Sequence, residues 1–163
     1  MKLFHVLTLS AALAAPMAPM AFAAETPVES VAVEADITSI ANEKAAKYWG
    51  NLSDDLQAAI LARVQDRIAD KGSRIVVDID EVSLASSFET SMGLENSVLM
   101  GRVNVASDDN SKFDVYELTV SVETAKPYLP EGYVLSPDTF ADSPEHYTAM
   151  VTAFADNVVE RLK

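Results

Sequence analysis

Four segments of the chain alternate hydrophobic and polar residues with a period of two, the pattern of a β-strand that buries one face. The hydrophobic members are Val31, Val33, Ala35 and Ile37 in the first segment, Ile75, Val77 and Ile79 in the second, Leu99, Val103 and Val105 in the third, and Tyr116, Leu118, Val120 and Val122 in the fourth. In the second segment the phase shifts at Asp80 and Glu81 and then continues in Val82 and Leu84, which predicts a β-bulge. Since the alternate positions are mostly polar, we expect a sheet with one buried face and one face left to solvent or to a partner.

Two further segments repeat hydrophobic residues at helical spacing. A helix is predicted over residues 53–71, with Ser53 as its cap and Gly72 as the residue that stops it. Its hydrophobic stripe is Leu56, Ile60, Leu61, Val64 and Ile68. Near the end of the chain, Ser143 is a capping residue and Pro144 suits the first helical position. The stripe that follows consists of Tyr147, Met150, Val151, Phe154, Val158 and Leu162.

The predicted order of elements is therefore β-α-β-β-β-α, with a hairpin loop at residues 107–112 (SDDNSK) between the last two strands. This order favours a two-layer α+β sandwich in which both helices cover one face of a four-stranded mixed or antiparallel sheet. Residues 25–163 are enough for a single domain of this kind to bury its core without a metal or a disulfide. The order is similar in outline to small envelope modules that assist transport or outer-membrane assembly, an architectural analogy that does not determine function.

The first 24 residues are typical of a cleaved signal peptide. Lys2 supplies a positive charge, residues 3–15 form an uncharged hydrophobic run, and the small residues around Ala23 form a cleavage site after Ala23 or Ala24. The run is too short to span a bilayer, and Pro16 follows it directly. We therefore expect export to the bacterial periplasm, with secretion as the alternative, and no membrane span in the mature chain.

The composition narrows the classes of partner. The 163 residues include 25 acidic and 12 basic side chains, a net charge of −13, and no cysteine. A strongly acidic chain is a poor ligand for nucleic acid or for anionic lipid, because both require lysine and arginine. The absence of cysteine excludes thiolate metal sites, cysteine nucleophiles and disulfides. It also favours a bacterial envelope protein over a secreted eukaryotic protein of this size.

The sequence contains no recognisable catalytic or cofactor motif. Neither a nucleotide-binding glycine pattern nor a nucleophile elbow occurs, so we expect no cofactor and no enzymatic activity. His146 is the one histidine that remains after signal cleavage. Its position in the first turn of the last helix suggests a surface or cap-region residue rather than a catalytic base.

Acidic residues suggest two alternative functions. Asp78 and Asp80 project from the polar side of the second predicted strand, where paired carboxylates could serve a hydrolase acting on envelope glycan or peptide. Asp108, Asp109 and Asn110 could bind calcium weakly, although their spacing does not fit an EF-hand. A solvated sheet face and a polar hairpin turn explain the same residues without any such function.

Aromatic residues in long loops favour a binding function. Residues 125–142 contain Tyr128, Tyr133 and Phe140, and the loop at residues 86–97 contains Phe88. Aromatic side chains either pin a loop over the core or contact a partner. The neighbouring Tyr48 and Trp49 form a further aromatic candidate, as a satellite of the core or as an exposed contact. The sequence thus predicts a non-catalytic binding or accessory module that contacts another envelope protein through Tyr128, Tyr133, Phe140 and Phe88, or through Asp78 and Asp80 on the open sheet face.

Overall fold

The computed structural model describes residues 25–39, 43–80, 98–133 and 143–162. Its strands are β1 (Val28–Glu34), β2 (Ser73–Ile79), β3 (Val98–Ser107) and β4 (Phe113–Ser121). Its α-helices are α1 (Glu43–Tyr48), α2 (Leu52–Val64), α3 (Val122–Ala125) and α4 (Pro144–Glu160). Turns of 3-10 helix cover Ile37–Ser39, Gln65–Arg67 and Lys126–Tyr128.

The four strands form one mixed sheet in the order β1-β2-β3-β4. β1 runs parallel to β2, while β2, β3 and β4 form an antiparallel meander. The hairpin between β3 and β4 turns at the residues that the sequence predicts, and Asn110 there adopts a positive φ of 53°, which asparagine tolerates. The predicted α+β fold with a four-stranded mixed sheet is confirmed.

One face of the sheet is buried beneath helices, and its side chains alternate with those of the other face except at a register shift between Val28 and Ser30 of β1. Val33, Val77 and Val103 lie in one register row of this buried face, and each is less than one-tenth exposed. The other buried hydrophobic residues of the sheet are Val28, Val31, Ile75, Ile79, Leu99, Val105, Leu118 and Val120. The two-residue period therefore identified the core side of every strand.

Helices α2 and α4 pack on this same face and against each other. α2 contributes Leu52, Leu56, Ile60 and Val64 to the core, at the four-residue spacing of one helix face. α4 begins as predicted, since the Ser143 Oγ accepts a hydrogen bond of 3.3 Å from the His146 backbone N–H and Pro144 occupies the first turn. None of the helices within the described ranges is long and apolar enough to cross a membrane.

Gly101 on β3 allows α4 to approach the sheet closely. A Cβ atom at this position would lie 2.9 Å from Ile79 Cδ1, 3.0 Å from the Asp78 carbonyl oxygen and 3.2 Å from Phe154 Cζ. These distances are shorter than ordinary van der Waals contacts, so the Phe154 ring occupies the space that any larger residue would need.

Several element boundaries differ from the sequence prediction. The helix predicted at residues 53–71 is α2, which begins at Leu52 after Asn51, so Ser53 lies within it and is not its cap, and which ends at Val64. Ile68 lies beyond this end, is 49% exposed and forms a bridge with Val28. The first strand spans Val28–Glu34, so Ala35 and Ile37 lie beyond it. The fourth strand ends before Val122, which starts α3 because the Ser121 Oγ accepts a hydrogen bond from the Thr124 backbone N–H and caps the helix. The predicted bulge and its Val82 and Leu84 lie outside the described residues.

The Tyr48–Trp49 pair belongs to the core and is not an exposed contact site. Trp49 is 1% exposed, and its ring centroid lies 4.8 Å from that of Tyr48 and 5.6 Å from that of Tyr147. The Tyr48 and Trp49 rings meet edge to face, a favourable arrangement at this distance, and the Trp49 and Tyr147 rings are tilted by 41°. The pair thus attaches the short helix α1 to α4. Of the two interpretations of these aromatic residues, the satellite of the core is correct and the exposed contact is wrong.

Candidate functional site

The sheet face opposite α2 and α4 is the candidate functional site, and we call it the outer sheet face. Strand register arranges its side chains in three rows that run across the sheet. The first row is Ser30, Arg74, Ala106 and Phe113; the second is Ala32, Val76, Asn104 and Val115; the third is Glu34, Asp78, Arg102 and Glu117. The antiparallel meander of β2, β3 and β4 brings Asp78, Arg102, Asn104 and Glu117 onto one surface.

The outer sheet face carries exposed hydrophobic side chains that sequence reasoning missed. Phe113 is 72% exposed, Val115 is 47% exposed and Val76 is 36% exposed. Phe113 and Val115 are two residues apart on β4 and therefore lie next to each other on this face. We call these three residues the apolar patch. Val76 lies in the same row as Val115, with Asn104 of β3 between them. Exposed hydrophobic side chains grouped on one face are typical of interaction sites in soluble proteins.

A charged row borders the apolar patch. In the third row Asp78 and Glu117 flank Arg102 in direct cross-strand register, and Glu34 extends the row on β1. All four side chains are exposed. Across the part of the chain that the structure describes, no ion pair within 4.0 Å involves Arg102. The row thus presents three carboxylates and one guanidinium group to an incoming partner.

A shallow depression of about 200 Å³ lies at the end of the charged row. Its polar lining consists of Asp78, Asp80, Arg102 and Glu117. The Asp80 backbone N–H donates a hydrogen bond of 2.9 Å to the Met100 carbonyl oxygen, which continues the pairing of β2 with β3 beyond Ile79. The structure therefore brings Asp78 and Asp80 together, as their spacing predicts, and adds Glu117 from β4.

The loop tyrosines lie on the helical side of the sheet, away from this surface. The hydroxyl group of Tyr133 donates a hydrogen bond of 2.6 Å to the Ser143 Oγ at the start of α4. Tyr128 is 38% exposed, and burial together with its hydrogen bond to Asp156 of α4 raises its pKa. Phe88 and Phe140 lie outside the described residues. Both described tyrosines therefore have hydrogen-bond partners within the protein.

His146 is a buried residue and not a surface one. It is 2% exposed, and its Nδ1 lies 3.1 Å from the hydroxyl oxygen of Tyr48. Burial lowers its pKa to about 4, so the imidazole is neutral at neutral pH. The expectation of a cap-region position is correct, because its backbone N–H donates to the capping Ser143. The expectation of exposure is wrong, because α1 packs over this turn.

The hairpin carboxylates have partners within the protein. Asp108 pairs with Arg74 at 2.6 Å, and the Asp109 carboxylate accepts hydrogen bonds from the Ser107 Oγ at 2.9 Å and the Ser111 backbone N–H at 3.0 Å. These hydrogen bonds, led by those from Ser111, lower the pKa of Asp109 to about 2. Among the described residues there is no group of three or more histidine, aspartate or glutamate side chains arranged to hold a metal ion.

The apolar patch left a weak signal in the sequence. Ile75, Val76 and Val77 are consecutive hydrophobic residues, so one of them must point away from the core. Phe113 and Val115 are separated from Glu117 and Thr119 by an even number of positions on the same strand, which assigns all four to the outer sheet face. A search for hydrophobic residues at the strand positions that otherwise alternate as polar would have found Val76, Phe113 and Val115.

We compared the chain with known protein families, curated proteins and solved structures. No family model, curated protein or solved structure matches the chain. The function is therefore argued from the geometry of the outer sheet face.

Proposed function

We propose that this protein is a small exported accessory module of the bacterial cell envelope, without catalytic activity, whose outer sheet face binds a partner protein. The observation that carries the proposal is the apolar patch of Val76, Phe113 and Val115, exposed on the side of the sheet that no described helix covers. Keeping hydrophobic side chains in water has a free-energy cost that binding would recover. The N-terminal signal pattern supports the location in the periplasm.

The charge of the outer sheet face specifies the chemistry of the partner. The row of Glu34, Asp78 and Glu117 exceeds Arg102 by two negative charges, and the whole chain has a net charge of −13. A second copy of the chain would bring like charges together, which disfavours association. The partner that fits is a segment in which hydrophobic residues stand beside lysine or arginine.

The position of β4 suggests how such a segment binds. Within the described ranges β4 pairs with β3 alone and is an edge of the sheet. An extended segment added along β4 would gain main-chain hydrogen bonds, and its alternate side chains would lie opposite Phe113, Val115 and Glu117. Hydrophobic residues fit opposite Phe113 and Val115, and a basic residue fits opposite Glu117.

Site-specific crosslinking in the cell tests this proposal. A photoreactive amino acid is placed at Val115, and a matched control carries it at Ala62, an exposed position on α2. We expect an adduct from position 115 that contains a protein segment with hydrophobic and basic residues, and no such adduct from position 62. Equal adducts from both positions, or none from position 115, would contradict the proposal.

Charge reversal tests the chemistry of the partner. Glu117→Lys in the protein labelled at position 115 should strongly reduce the adduct, because it places a positive charge opposite the basic residue of the partner. The matched control is Glu123→Lys, an exposed residue of α3 that does not lie in the charged row. Equal loss in both variants would show that only net charge matters and would argue against the charged row as the contact.

Export has its own test. We expect the mature protein in the periplasmic fraction, with an N-terminus at Ala24 or Glu25 by terminal sequencing. An uncleaved chain in the cytoplasm would refute the exported location.

The depression around Asp78, Asp80 and Glu117 favours a second candidate, a carboxylate-based hydrolase that acts on envelope glycan or peptide. In such enzymes a carboxyl group acts as the general acid where apolar surroundings keep it protonated, whereas Asp78 and Glu117 are exposed. Binding is therefore the better-supported function. A screen of glycan and peptide substrates that compares the wild type with Asp80→Asn separates the two: no turnover, or equal turnover, eliminates hydrolysis at these carboxylates.

A further inference from the structure

A cavity of about 590 Å³ opens at one end of the sheet, away from the charged row. Its walls come from residues 25–27 before β1, residues 71–73 at the start of β2 and residues 107–112 of the hairpin between β3 and β4. We call it the hairpin cavity. The Ser73 backbone N–H donates a hydrogen bond of 2.9 Å to the Pro27 carbonyl oxygen, and Ser73 lies in register with Ser107, so three walls are joined to one another.

Two residues with little exposed surface, each carrying a hydroxyl group, line the hairpin cavity. Thr26 is 4% exposed and Ser73 is 1% exposed, and both belong to its lining. Within the described ranges we find no hydrogen bond to the side chain of either residue. Ser107 differs, since its Oγ accepts from the Lys112 backbone N–H at 3.0 Å and donates to Asp109 at 2.9 Å. Since both residues line the cavity, their hydroxyl groups are within reach of its water, and a hydroxyl group of a ligand can replace that water as the hydrogen-bond partner.

The charges around the hairpin cavity are of both signs. The lining contains two lysines, Lys71 and Lys112, and the three carboxylates of Glu25, Asp108 and Asp109. Arg67 pairs with Glu25 at 2.8 Å, and Arg74 pairs with Asp108 at 2.6 Å. An anionic ligand would face the carboxylates, and a cationic ligand would face the lysines. A neutral ligand avoids both penalties and can hydrogen-bond to groups of either sign.

From these observations we infer that the hairpin cavity binds a neutral sugar of one or two rings. Sugar hydroxyl groups both donate and accept, so they can satisfy Thr26 and Ser73, accept from a lysine and donate to a carboxylate at the same time. The volume lies within the range of small-molecule sites. This inference does not depend on the proposed partner of the outer sheet face, because the two sites share no residue.

Titration of the mature protein, followed by amide NMR spectra, tests this inference. The probes are glucose, N-acetylglucosamine and the β-1,4-linked disaccharide of each, with glycylglycine as a charged probe of similar size. We expect saturable shifts at residues 25–27, 71–73 and 107–112 with at least one sugar. No saturable shift with any sugar, equal or larger shifts with glycylglycine, or shifts confined to the outer sheet face would each overturn the inference.

Removal of one hydroxyl group at a time locates the contact. Thr26→Val and Ser73→Ala should each weaken sugar binding by roughly fivefold to tenfold, the usual effect of losing one hydrogen bond. The matched control Thr152→Val removes a hydroxyl group from α4, outside the cavity, and should bind as the wild type does. If Ser73→Ala lowers the melting temperature, Thr26→Val, which lies before the first strand, decides the test. Unchanged affinity in a folded Thr26→Val variant would refute a contact with these hydroxyl groups.

Discussion

The Tyr48 hydroxyl group lies 3.1 Å from Nδ1 of His146 and donates a hydrogen bond of 3.1 Å to the Ser143 carbonyl oxygen. Since the phenol has one proton, donation to the Ser143 carbonyl oxygen requires the tautomer of His146 in which Nδ1 carries the hydrogen and donates to Tyr48. This pair connects α1 to the first turn of α4 through a buried imidazole. Protonation of that imidazole would place a charge on a side chain that is only 2% exposed.

The buried His146 should make stability depend on pH. Its pKa in the folded protein is about 4, below the ordinary value of 6.5, because burial disfavours the charged form. As the pH falls from about 6.5 towards 4, the unfolded state binds the proton first, so the free energy of unfolding decreases. The loss should be on the order of 3 kcal/mol across that range. Urea unfolding at several pH values measures it.

His146→Gln is the control for this effect, since glutamine keeps a polar side chain but does not titrate. The variant should be less stable than the wild type at neutral pH, and the difference between the two should shrink as the pH falls. A difference that stays constant from neutral pH to about pH 4 would show that His146 is not the group responsible.

The close contact at Gly101 predicts a costly substitution. Gly101→Ala adds a methyl group 3.2 Å from Phe154 Cζ and 3.0 Å from a main-chain oxygen, so the free energy of unfolding should fall by about 1 to 3 kcal/mol. A double-mutant cycle with Phe154→Leu tests the cause. If the ring is the obstacle, Gly101→Ala should cost less in the Phe154→Leu background, whereas an equal cost would assign the strain to the Ile79 side chain and the Asp78 carbonyl group of β2.

Asp156 should stabilise residues 122–128, the segment that follows β4. This carboxylate pairs with Arg63 of α2 and accepts the hydrogen bond of Tyr128. Tyr128→Phe should lower the free energy of unfolding by about 1 kcal/mol, and Asp156→Ala by about 1 to 2 kcal/mol because it removes both interactions. Thermal unfolding measures both. If Tyr128→Phe leaves stability unchanged and instead weakens crosslinking at position 115, the tyrosine contributes to binding and does not pin the segment.

The apolar patch should contribute to binding more than to stability. Phe113→Ser alters a side chain that is 72% exposed, and it should change the free energy of unfolding by less than about 1 kcal/mol. Val120→Ala, on the buried face of the same strand and fully buried, should cost about 1 to 3 kcal/mol. Equal losses in the two variants would indicate that Phe113 packs against the protein itself.

Calcium should have little effect on the hairpin. The carboxylates of Asp108 and Asp109 are already bound by Arg74, Ser107 and Ser111, so the ion would have to displace these partners. We expect equal melting temperatures in calcium and in EDTA. A rise with calcium that Asp109→Asn abolishes would restore the hypothesis of a weak calcium site.

Local patterns predicted most of the fold. The period of two in β2 and β3 and the four-residue spacing in α2 depend on which side chains meet the core, and the structure buries those side chains. Ile68 and Val122 show where such patterns fail. Each continues a hydrophobic period, but the helix or strand has already ended, because termination depends on capping and neighbouring chains as well as on hydrophobicity. Of the candidate site, the sequence predicted Asp78 and Asp80 on the outer sheet face and did not predict the apolar patch.

The sequence by itself determined the class of fold, the core side of each strand, the capped start of α4 and the acidic, cysteine-free character of the chain. These properties follow from residue type and short-range periodicity. Only the tertiary structure decided that Phe113 and Val115 form a patch beside the charged row, that α1 buries His146, and that Thr26 and Ser73 meet in one cavity. Each of these relationships joins residues far apart in the chain, and strand register and helix packing bring them together after the local elements have formed.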